Sequence, residues 1–121
     1  MPQLRMTTPR LLVLQAMLAE PDRERYGLEL ATTAGLEPGT IYPILVAFEN
    51  AGWLTSHAEE IDTHAEGRPR RRYYQLTPAG VTAAGAAAAR ATQRRTARSV
   101  AGRLAASRTA RRAPQGGRVA W

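Results

Sequence analysis

The chain has 121 residues, carries a formal net charge of +7 and contains no cysteine. This length predicts one domain with a small core, and the missing cysteine excludes disulfides and thiolate metal sites. No N-terminal signal peptide is evident, and the apolar run at residues 11–14 is far shorter than the roughly 20 residues that span a bilayer. The sequence therefore predicts a cytoplasmic protein with no membrane segment.

The charges are divided unevenly along the chain. All ten acidic residues lie between Glu20 and Glu66, whereas thirteen arginines and no acid follow from Gly67 onward, and the chain has no lysine. A strongly basic half favours a polyanionic partner, with nucleic acid first. Genomic base composition would also explain arginine in place of lysine, but not the missing acids. A basic tail that only keeps the protein soluble is a second alternative.

Two short helices are predicted before residue 35. Thr8 followed by Pro9 is typical of a helix N-cap and first position, and this helix should end near Glu20, before a proline. A second helix is predicted over residues 24–33, with Gly35 in the left-handed position that ends it. A third helix begins only a few residues later. Two helices joined by a tight glycine-containing turn match the helix-turn-helix pattern.

The third helix is amphipathic. Ile41, Ile44, Leu45 and Phe48 recur at i, i+3, i+4 and i+7 and predict one buried stripe. The residues predicted to point away from this stripe, or to flank it, are mostly small and uncharged: Gly39, Thr40, Tyr42, Pro43, Val46, Ala47 and Asn50. A solvated helix face usually carries charges, so this face is typical of a surface that contacts a partner.

The start of the third helix has two possible registers. With Thr40 as the N-cap, Pro43 is the third helical residue, where its missing N–H costs little. With Pro38 as the first helical residue, Pro43 lies inside the helix and removes a hydrogen bond to the Gly39 carbonyl. We favour the first register.

A β-hairpin with a basic tip is predicted next. One strand covers residues 53–60, a polar loop follows, and a second strand covers residues 70–76 with Arg72, Tyr74 and Leu76 on one face.

The last part of the chain is predicted to be helical. Thr77 and Pro78 repeat the helix start signal, and an alanine-rich helix is predicted from Ala79 to about Ala110. This organisation predicts a winged helix-turn-helix domain at residues 1–78, a dimerisation helix at 79–112 and a disordered basic tail at 113–121. The predicted fold is mainly α, with a two-stranded β-hairpin wing and a long C-terminal helix.

Several segments in this order resemble the PadR family of transcriptional regulators. They are YGLEL at residues 26–30, LEPGTIYPIL at 36–45, ENAGWL at 49–54 and GRPRRRYYQLTPAG at 67–80. The resemblance implies a bacterial DNA-binding repressor that acts as a homodimer, with the C-terminal helix and the first helix in the dimer contact. It also implies that one recognition helix enters the major groove and that one wing reaches the adjacent minor groove or backbone. Glu37 departs from the family, where serine is common, and the C-terminal helix lacks the family's leucines and aromatics.

The candidate DNA-binding residues fall into two sets. On the recognition helix, a hydroxyl can bond a phosphate or a base edge and an apolar group can pack on a thymine methyl; these candidates are Gly39, Thr40, Tyr42, Pro43 and Val46. In the wing, the candidates for phosphate contacts are Arg68, Arg70, Arg71 and Arg72. The alternatives are that Thr40 only caps the helix, that Tyr42 packs between helices, and that the wing arginines pair with Glu59, Glu60 or Asp62.

Further types of site have little support in the sequence. His57 and His64 lie near Glu59, Glu60, Asp62 and Glu66, but their spacing favours a solvated loop over a metal site. No cofactor is expected, and no nucleophile–base pair or phosphate loop suggests an enzyme. The arginines of the last helix and tail either contact flanking DNA or only solubilise an alanine-rich helix: Arg90, Arg94, Arg95, Arg98, Arg103, Arg108, Arg111 and Arg112.

The sequence as a whole predicts a repressor that binds an inverted repeat in double-stranded DNA as a dimer. Release by a small-molecule effector of unknown identity is expected. The alternatives are a non-specific or architectural nucleic-acid-binding protein and a winged-helix module for protein–protein interaction.

Overall fold

A computed structural model describes the backbone of residues 4–116 and the side chains of residues 4–107. In chain order, its elements are α1 (Thr8–Leu18), β1 (Arg25–Tyr26), α2 (Gly27–Ala34), α3 (Pro38–Asn50), β2 (Leu54–Ala58), α4 (Thr63–Glu66), β3 (Arg72–Leu76) and α5 (Pro78–Gly116). By its contacts the chain divides into two units, one ending at Ala88 and the other beginning at Ala89. None of the helices among these residues is long and apolar enough to cross a bilayer.

The core of the first unit lies between the helices and one face of the sheet. Phe48, Leu14, Leu30 and Leu45 are fully buried, and further apolar side chains from every larger element surround them: Val13, Met17, Ile41, Ile44, Leu54, Tyr74, Leu76, Ala84 and Ala87. The predicted stripe of the third helix is therefore confirmed as its buried face. Trp53 packs beside Phe48, with 5.3 Å between the ring centroids.

The sheet has three antiparallel strands in the order β1-β3-β2, whereas the sequence predicts two. The additional strand, β1, pairs Arg25 with Tyr74 and Tyr26 with Tyr73. Residues 24–26, predicted as helix, precede α2, which begins only at Gly27. Local periodicity cannot reveal a two-residue strand whose hydrogen-bonding partner lies far along the chain.

Helix boundaries differ from the predicted ones by a few residues. The side chain of Thr7, not of Thr8, caps α1 by accepting from the Arg10 N–H, and Pro9 lies at the second helical position. Gly35 ends α2 with φ 71°, as predicted. A short helix, α4, interrupts the predicted polar loop because the Asp62 side chain accepts from the N–H groups of His64 and Ala65. Such local capping bonds nucleate a turn even where no core is available.

The last helix begins at Pro78, one residue before its predicted start at Ala79. The Thr77 side chain accepts from the Gly80 N–H at 3.0 Å and donates to the Gly52 carbonyl at 2.7 Å. The Thr77 N–H also donates to the Trp53 carbonyl at 2.9 Å. These bonds attach the start of α5 to the turn that follows α3. α5 continues to Gly116, past its predicted end near Ala110, and the rest of the predicted tail lies outside the described residues.

Candidate nucleic-acid interface

The helix α3 begins earlier than the favoured register predicts. Pro38 is its first residue, and Glu37 precedes it with extended ψ 149°. The Glu37 carbonyl accepts from the N–H groups of Thr40 at 2.9 Å and Ile41 at 3.1 Å. The favoured register is therefore wrong: Thr40 is not the N-cap, and Pro43 lies inside the helix. Proline at the first position favours this start because it presets a helical φ and disfavours helix at the preceding residue.

The exposed face of α3 carries all five recognition-helix candidates. Gly39, Thr40 and Pro43 are exposed, Tyr42 retains 43% of its surface and Val46 retains 54%. Because Thr40 does not cap the helix, its hydroxyl is not committed to that role. This face is uncharged until Glu49, so it is suited to lie against base edges, where apolar and hydroxyl groups read thymine methyls and acceptors.

Tyr42 has a structural role in addition to its exposure. A Cβ placed on Gly27 would lie 2.6 Å from the Tyr42 Cε1 and 2.9 Å from its hydroxyl oxygen. The tyrosine ring therefore lies directly on the backbone at the first residue of α2. Tyr42 therefore packs between the two helices and still keeps part of its ring exposed, while its role in DNA contact stays a prediction.

A groove separates the helix-turn-helix from the wing. Its volume is about 810 Å³, with Leu28 and Thr32 of α2 and Tyr42 of α3 on one side and residues 68–72 on the other. The structure thus brings Tyr42 and all four predicted wing arginines to a single groove, whereas the other four recognition-helix candidates are not among the residues that line it. Glu29 of α2 also lines the groove, and its carboxylate accepts from Arg23 and Arg25. The basic side chains of the other wall are of the kind that contacts a phosphate backbone.

The wing arginines differ in what holds them. Arg68 makes two hydrogen bonds to the Glu59 carboxylate, at 2.7 and 3.1 Å. The Arg71 guanidinium lies 4.3 Å from the centroid of the Tyr26 ring, a cation–π distance. Arg70 is exposed and donates to the Ile61 carbonyl at 3.2 Å. The alternative that acidic residues neutralise the wing therefore applies to Arg68.

Arg72 is linked to the recognition helix through a serine. Its Nη1 donates to the Ser56 hydroxyl at 2.9 Å, and that hydroxyl donates to the Glu49 carboxylate at 2.5 Å. Arg72 shares a strand face with Tyr74 and Leu76, as predicted, but only those two are buried. The chain of hydrogen bonds joins β3, β2 and the last turn of α3, so it fixes the wing relative to the recognition helix.

The carboxylate of Glu59 is the most strongly bonded acid at the wing. Hydrogen bonds from the Arg68 guanidinium, and then from the Arg71 N–H and the Tyr73 hydroxyl, lower the pKa of Glu59 from 4.5 to about 2. An unfolded Glu59 would bind a proton near pH 4.5 while the folded one would not. The stabilisation from its ionised form is therefore complete above about pH 4.5 and is lost as the pH falls toward 2.

We expect a pH-dependent difference between the wild type and Glu59→Gln. The variant should have the lower free energy of unfolding at neutral pH, and the difference should shrink as the pH falls from 4.5 toward 2. Urea unfolding of both proteins over this range measures it, with Glu60→Gln as the control for loss of one negative charge. A difference that stays constant with pH would contradict the assignment.

Sequence reasoning missed a buried arginine that is bonded to two residues lining the groove, Glu29 and Thr33. Arg25 retains only 6% of its surface, and it donates to the Glu29 carboxylate at 3.0 Å, the Thr33 hydroxyl at 3.0 Å and the Ala16 carbonyl at 3.3 Å. Arg23 bonds the second oxygen of Glu29 at 3.1 Å. The i, i+4 spacing of Arg25 and Glu29 in the sequence suggests an ion pair. It does not show whether that pair is buried or exposed on a helix surface. This network holds β1 and α2 to α1.

An aromatic row on the outer face of the sheet was also missed. The Tyr26 and Tyr73 rings meet edge to face at 5.8 Å, and the His57 ring stacks on Tyr73 at 5.9 Å. His57 bonds the Glu24 carboxylate at 2.9 Å, which raises the pKa of the imidazole. Within the described residues no group of three or more His, Cys, Asp or Glu could hold a metal ion.

The described arginines of the second unit lie on the surface of α5. Arg90, Arg94, Arg95, Arg98 and Arg103 are exposed, as are the larger apolar residues Val100 and Leu104, at 44% and 54%. The side chains of Arg108, Arg111 and Arg112 lie outside the described set.

Comparison with known proteins gives one family. The model of the transcriptional regulator PadR-like family matches residues 13–86. No curated protein sequence matches the chain significantly.

Solved structures share the fold. The chain is similar to a PadR family transcriptional regulator from Eggerthella lenta DSM 2243, with 24% identity, a TM-score of 0.59 and coverage of 80% of this chain and 83% of that one. It is also similar to the PcaV transcriptional regulator of Streptomyces coelicolor in complex with its natural ligand, with 23% identity, a TM-score of 0.58 and coverage of 93% and 76%. A third similar structure is the S. aureus MepR–DNA complex, with 14% identity, a TM-score of 0.58 and coverage of 87% and 80%.

The extent of these matches differs between the two kinds of comparison. Across these and further winged-helix structures, the chain spans between 55% and 83% of the matched chain's length. At such identities the structures establish a winged-helix fold. The family model covers more than half of the chain, from within α1 into α5. The chain therefore belongs to the PadR-like family of transcriptional regulators, and it is a regulator and not an enzyme.

Proposed function

We propose that this regulator binds double-stranded DNA as a homodimer, with α3 in the major groove and the wing on the adjacent minor groove or backbone. The observation that carries the proposal is the shared groove, which brings Tyr42 of α3 together with the four wing arginines. The exposed face of α3 beside it is uncharged up to Glu49. Base edges would meet Gly39, Thr40, Tyr42, Pro43 and Val46. The phosphates beside them would meet the wing arginines that carry no carboxylate partner, Arg70, Arg71 and Arg72.

The proposal has three further parts. The dimer binds an inverted repeat, it represses transcription from that site, and the protein is located in the cytoplasm. A two-fold symmetric dimer places its recognition helices on two half-sites about one helical turn apart, which requires a palindromic operator. For the dimer contact, α1 and α5 of the first unit offer exposed Leu12 and Val81, and the second unit offers Val100 and Leu104. The MepR–DNA complex supports DNA as the partner, and PcaV with its natural ligand supports release by a small-molecule effector.

Selection of bound fragments from a random DNA pool tests this proposal. A recovered palindrome would give both the site and the symmetry, with half-sites one helical turn apart. Similar recovery of unrelated sequences at fixed salt would instead favour a non-specific architectural protein. No retention of DNA at low salt would favour a module for protein–protein interaction.

The wing arginines should set the salt dependence of binding. Replacing Arg70 and Arg71 with alanine should weaken binding to every sequence and reduce the slope of log K against log salt by about 1.8, since each phosphate contact contributes about 0.9. Titrations of labelled duplex at several salt concentrations measure the slope. Arg10→Gln, in α1 outside the groove, is the matched control. A slope equal to that of the wild type would contradict the wing assignment.

A further inference from the structure

The carboxylate of Glu59 is the centre of the hydrogen bonding at the base of the wing. One oxygen accepts from Arg68 Nη1 at 2.7 Å and from the Arg71 N–H at 3.4 Å. The second oxygen accepts from Arg68 Nη2 at 3.1 Å and from the Tyr73 hydroxyl at 3.3 Å. The Glu59 N–H donates to the Arg71 carbonyl at 2.8 Å. Four donors on one carboxylate restrict both its rotamer and the path of the hairpin.

The two-bond geometry removes Arg68 from the set of available cations. The side chains of Glu59 and Arg68 keep only 15% and 31% of their surface, so this pair is partly screened from water. A guanidinium that donates two parallel hydrogen bonds to a carboxylate has its charge neutralised and that pair of N–H donors occupied. A phosphate would have to displace Glu59 before it could bind Arg68.

The neighbouring arginines are held in a different way. Arg70 donates to the carbonyl of Ile61 and Arg72 to the hydroxyl of Ser56, both neutral acceptors. Neither bond cancels the positive charge, so both guanidinium groups remain free to attract a phosphate at the groove. The hairpin therefore contains cations of two kinds: one is neutralised at the base, and the others are positioned and still charged.

We propose that Glu59 withholds Arg68 from DNA and rigidifies the wing, so that it favours discrimination between DNA sequences over non-specific affinity. This inference rests on the proposed DNA-binding function. A free Arg68 would add a phosphate contact that is the same on every sequence. Its neutralisation lowers binding to all DNA equally. The fixed hairpin directs Arg70 and Arg72 to defined phosphates and thereby sets the register of α3 on the bases.

Replacement of Glu59 is expected to strengthen DNA binding, whereas replacement of Arg70 and Arg71 is expected to weaken it. In Glu59→Gln the amide cannot hold the guanidinium with two acceptor oxygens, so Arg68 is released. Binding to a random-sequence duplex should become tighter, and its salt slope should steepen by about one unit. The ratio of operator to random-sequence affinity should fall. In Glu59→Gln combined with Arg68→Gln, the slope should return to the wild-type value.

A matched control separates this effect from simple loss of a negative charge. Glu60 is adjacent and exposed, and its side chain forms no ion pair with an arginine in the described part of the chain. Glu60→Gln should leave both the salt slope and the affinity ratio near the wild-type values. Thermal unfolding of each variant verifies that the first unit is folded at the binding temperature.

Chemical modification measures how accessible the Arg68 guanidinium is in the absence of DNA. Phenylglyoxal reacts with accessible guanidinium groups, and peptide mass spectrometry locates the products. In the wild type Arg68 should react more slowly than Arg70, and in Glu59→Gln the two should react at similar rates. Equal rates in the wild type would overturn the inference, as would a salt slope that does not steepen in Glu59→Gln. A wild type that binds no duplex would overturn the proposed function and the role in discrimination, while the modification rates would still report on the pair.

Discussion

Gly80→Ala is expected to lower the free energy of unfolding by about 3 kcal/mol, the upper end of the usual cost of forcing atoms into a packed site. A Cβ at this position would lie 2.1 Å from the Trp53 carbonyl oxygen and 2.9 Å from its carbonyl carbon. Those atoms belong to backbone and cannot rotate away. The same carbonyl accepts the Thr77 N–H, so any shift also breaks the bond that joins the end of the wing to the turn after α3.

The matched control for this substitution lies in the same helix. Gly85 has nothing within 4 Å of an added Cβ, so Gly85→Ala should stabilise the protein by up to about 1 kcal/mol through helix propensity alone. Urea unfolding, followed by circular dichroism, compares the two variants with the wild type. If Gly80→Ala left stability unchanged or raised it as Gly85→Ala should, the close approach of α5 to the turn would be disproved.

Gly27→Ala is expected to weaken operator binding by about tenfold, equivalent to about 1.4 kcal/mol and within the range for one lost base contact. The new methyl group would meet the Tyr42 ring at 2.6 Å. Because that ring is the mobile end of a side chain, it should move while the backbone stays in place. Random-sequence binding should change less, since a displaced base contact affects specificity more than phosphate attraction.

A double-variant cycle tests whether Gly27 acts through Tyr42. Tyr42→Ala should reduce operator binding by a similar factor, and adding Gly27→Ala to it should cause no further loss. Titration of operator and random-sequence duplexes with all four proteins gives the coupling. Additive losses would show that Gly27 affects binding by another route. Equal losses on both duplexes would mean that Tyr42 positions the helix but does not read bases.

Much of the geometry of the candidate interface was predictable because its signals are local. The repeat of Ile41, Ile44, Leu45 and Phe48 specified which face of α3 is buried, and therefore which face is exposed. Alternation in the second strand likewise separated Tyr74 and Leu76 from their outward neighbours. Periodicity of this kind is a property of the helix or strand itself, so it needs no knowledge of the rest of the molecule.

The start of α3 differs from its prediction because two local signals compete. The lost hydrogen bond at Pro43 favours Thr40 as the N-cap, yet the helix begins at Pro38. Proline at the first helical position presets a helical φ and leaves no intrahelical N–H unpaired. The earlier turn also lets the Glu37 carbonyl accept from the N–H groups of Thr40 and Ile41. Together these contributions outweigh the one hydrogen bond that is missing at Pro43.

The sequence by itself determined the order of the larger elements, the amphipathic faces, the uncharged outer face of α3 and the basic character of the wing. The tertiary structure decided which arginines face the groove as free charges. Arg68 bonds Glu59 only because the hairpin brings the ends of its two strands together. Arg71 contacts the Tyr26 ring only because β1 pairs with β3. Four similar side chains in five positions are nearly indistinguishable in sequence. The groups that contact these arginines lie on other parts of the chain. They decide whether the charge of each guanidinium is neutralised or available to a phosphate.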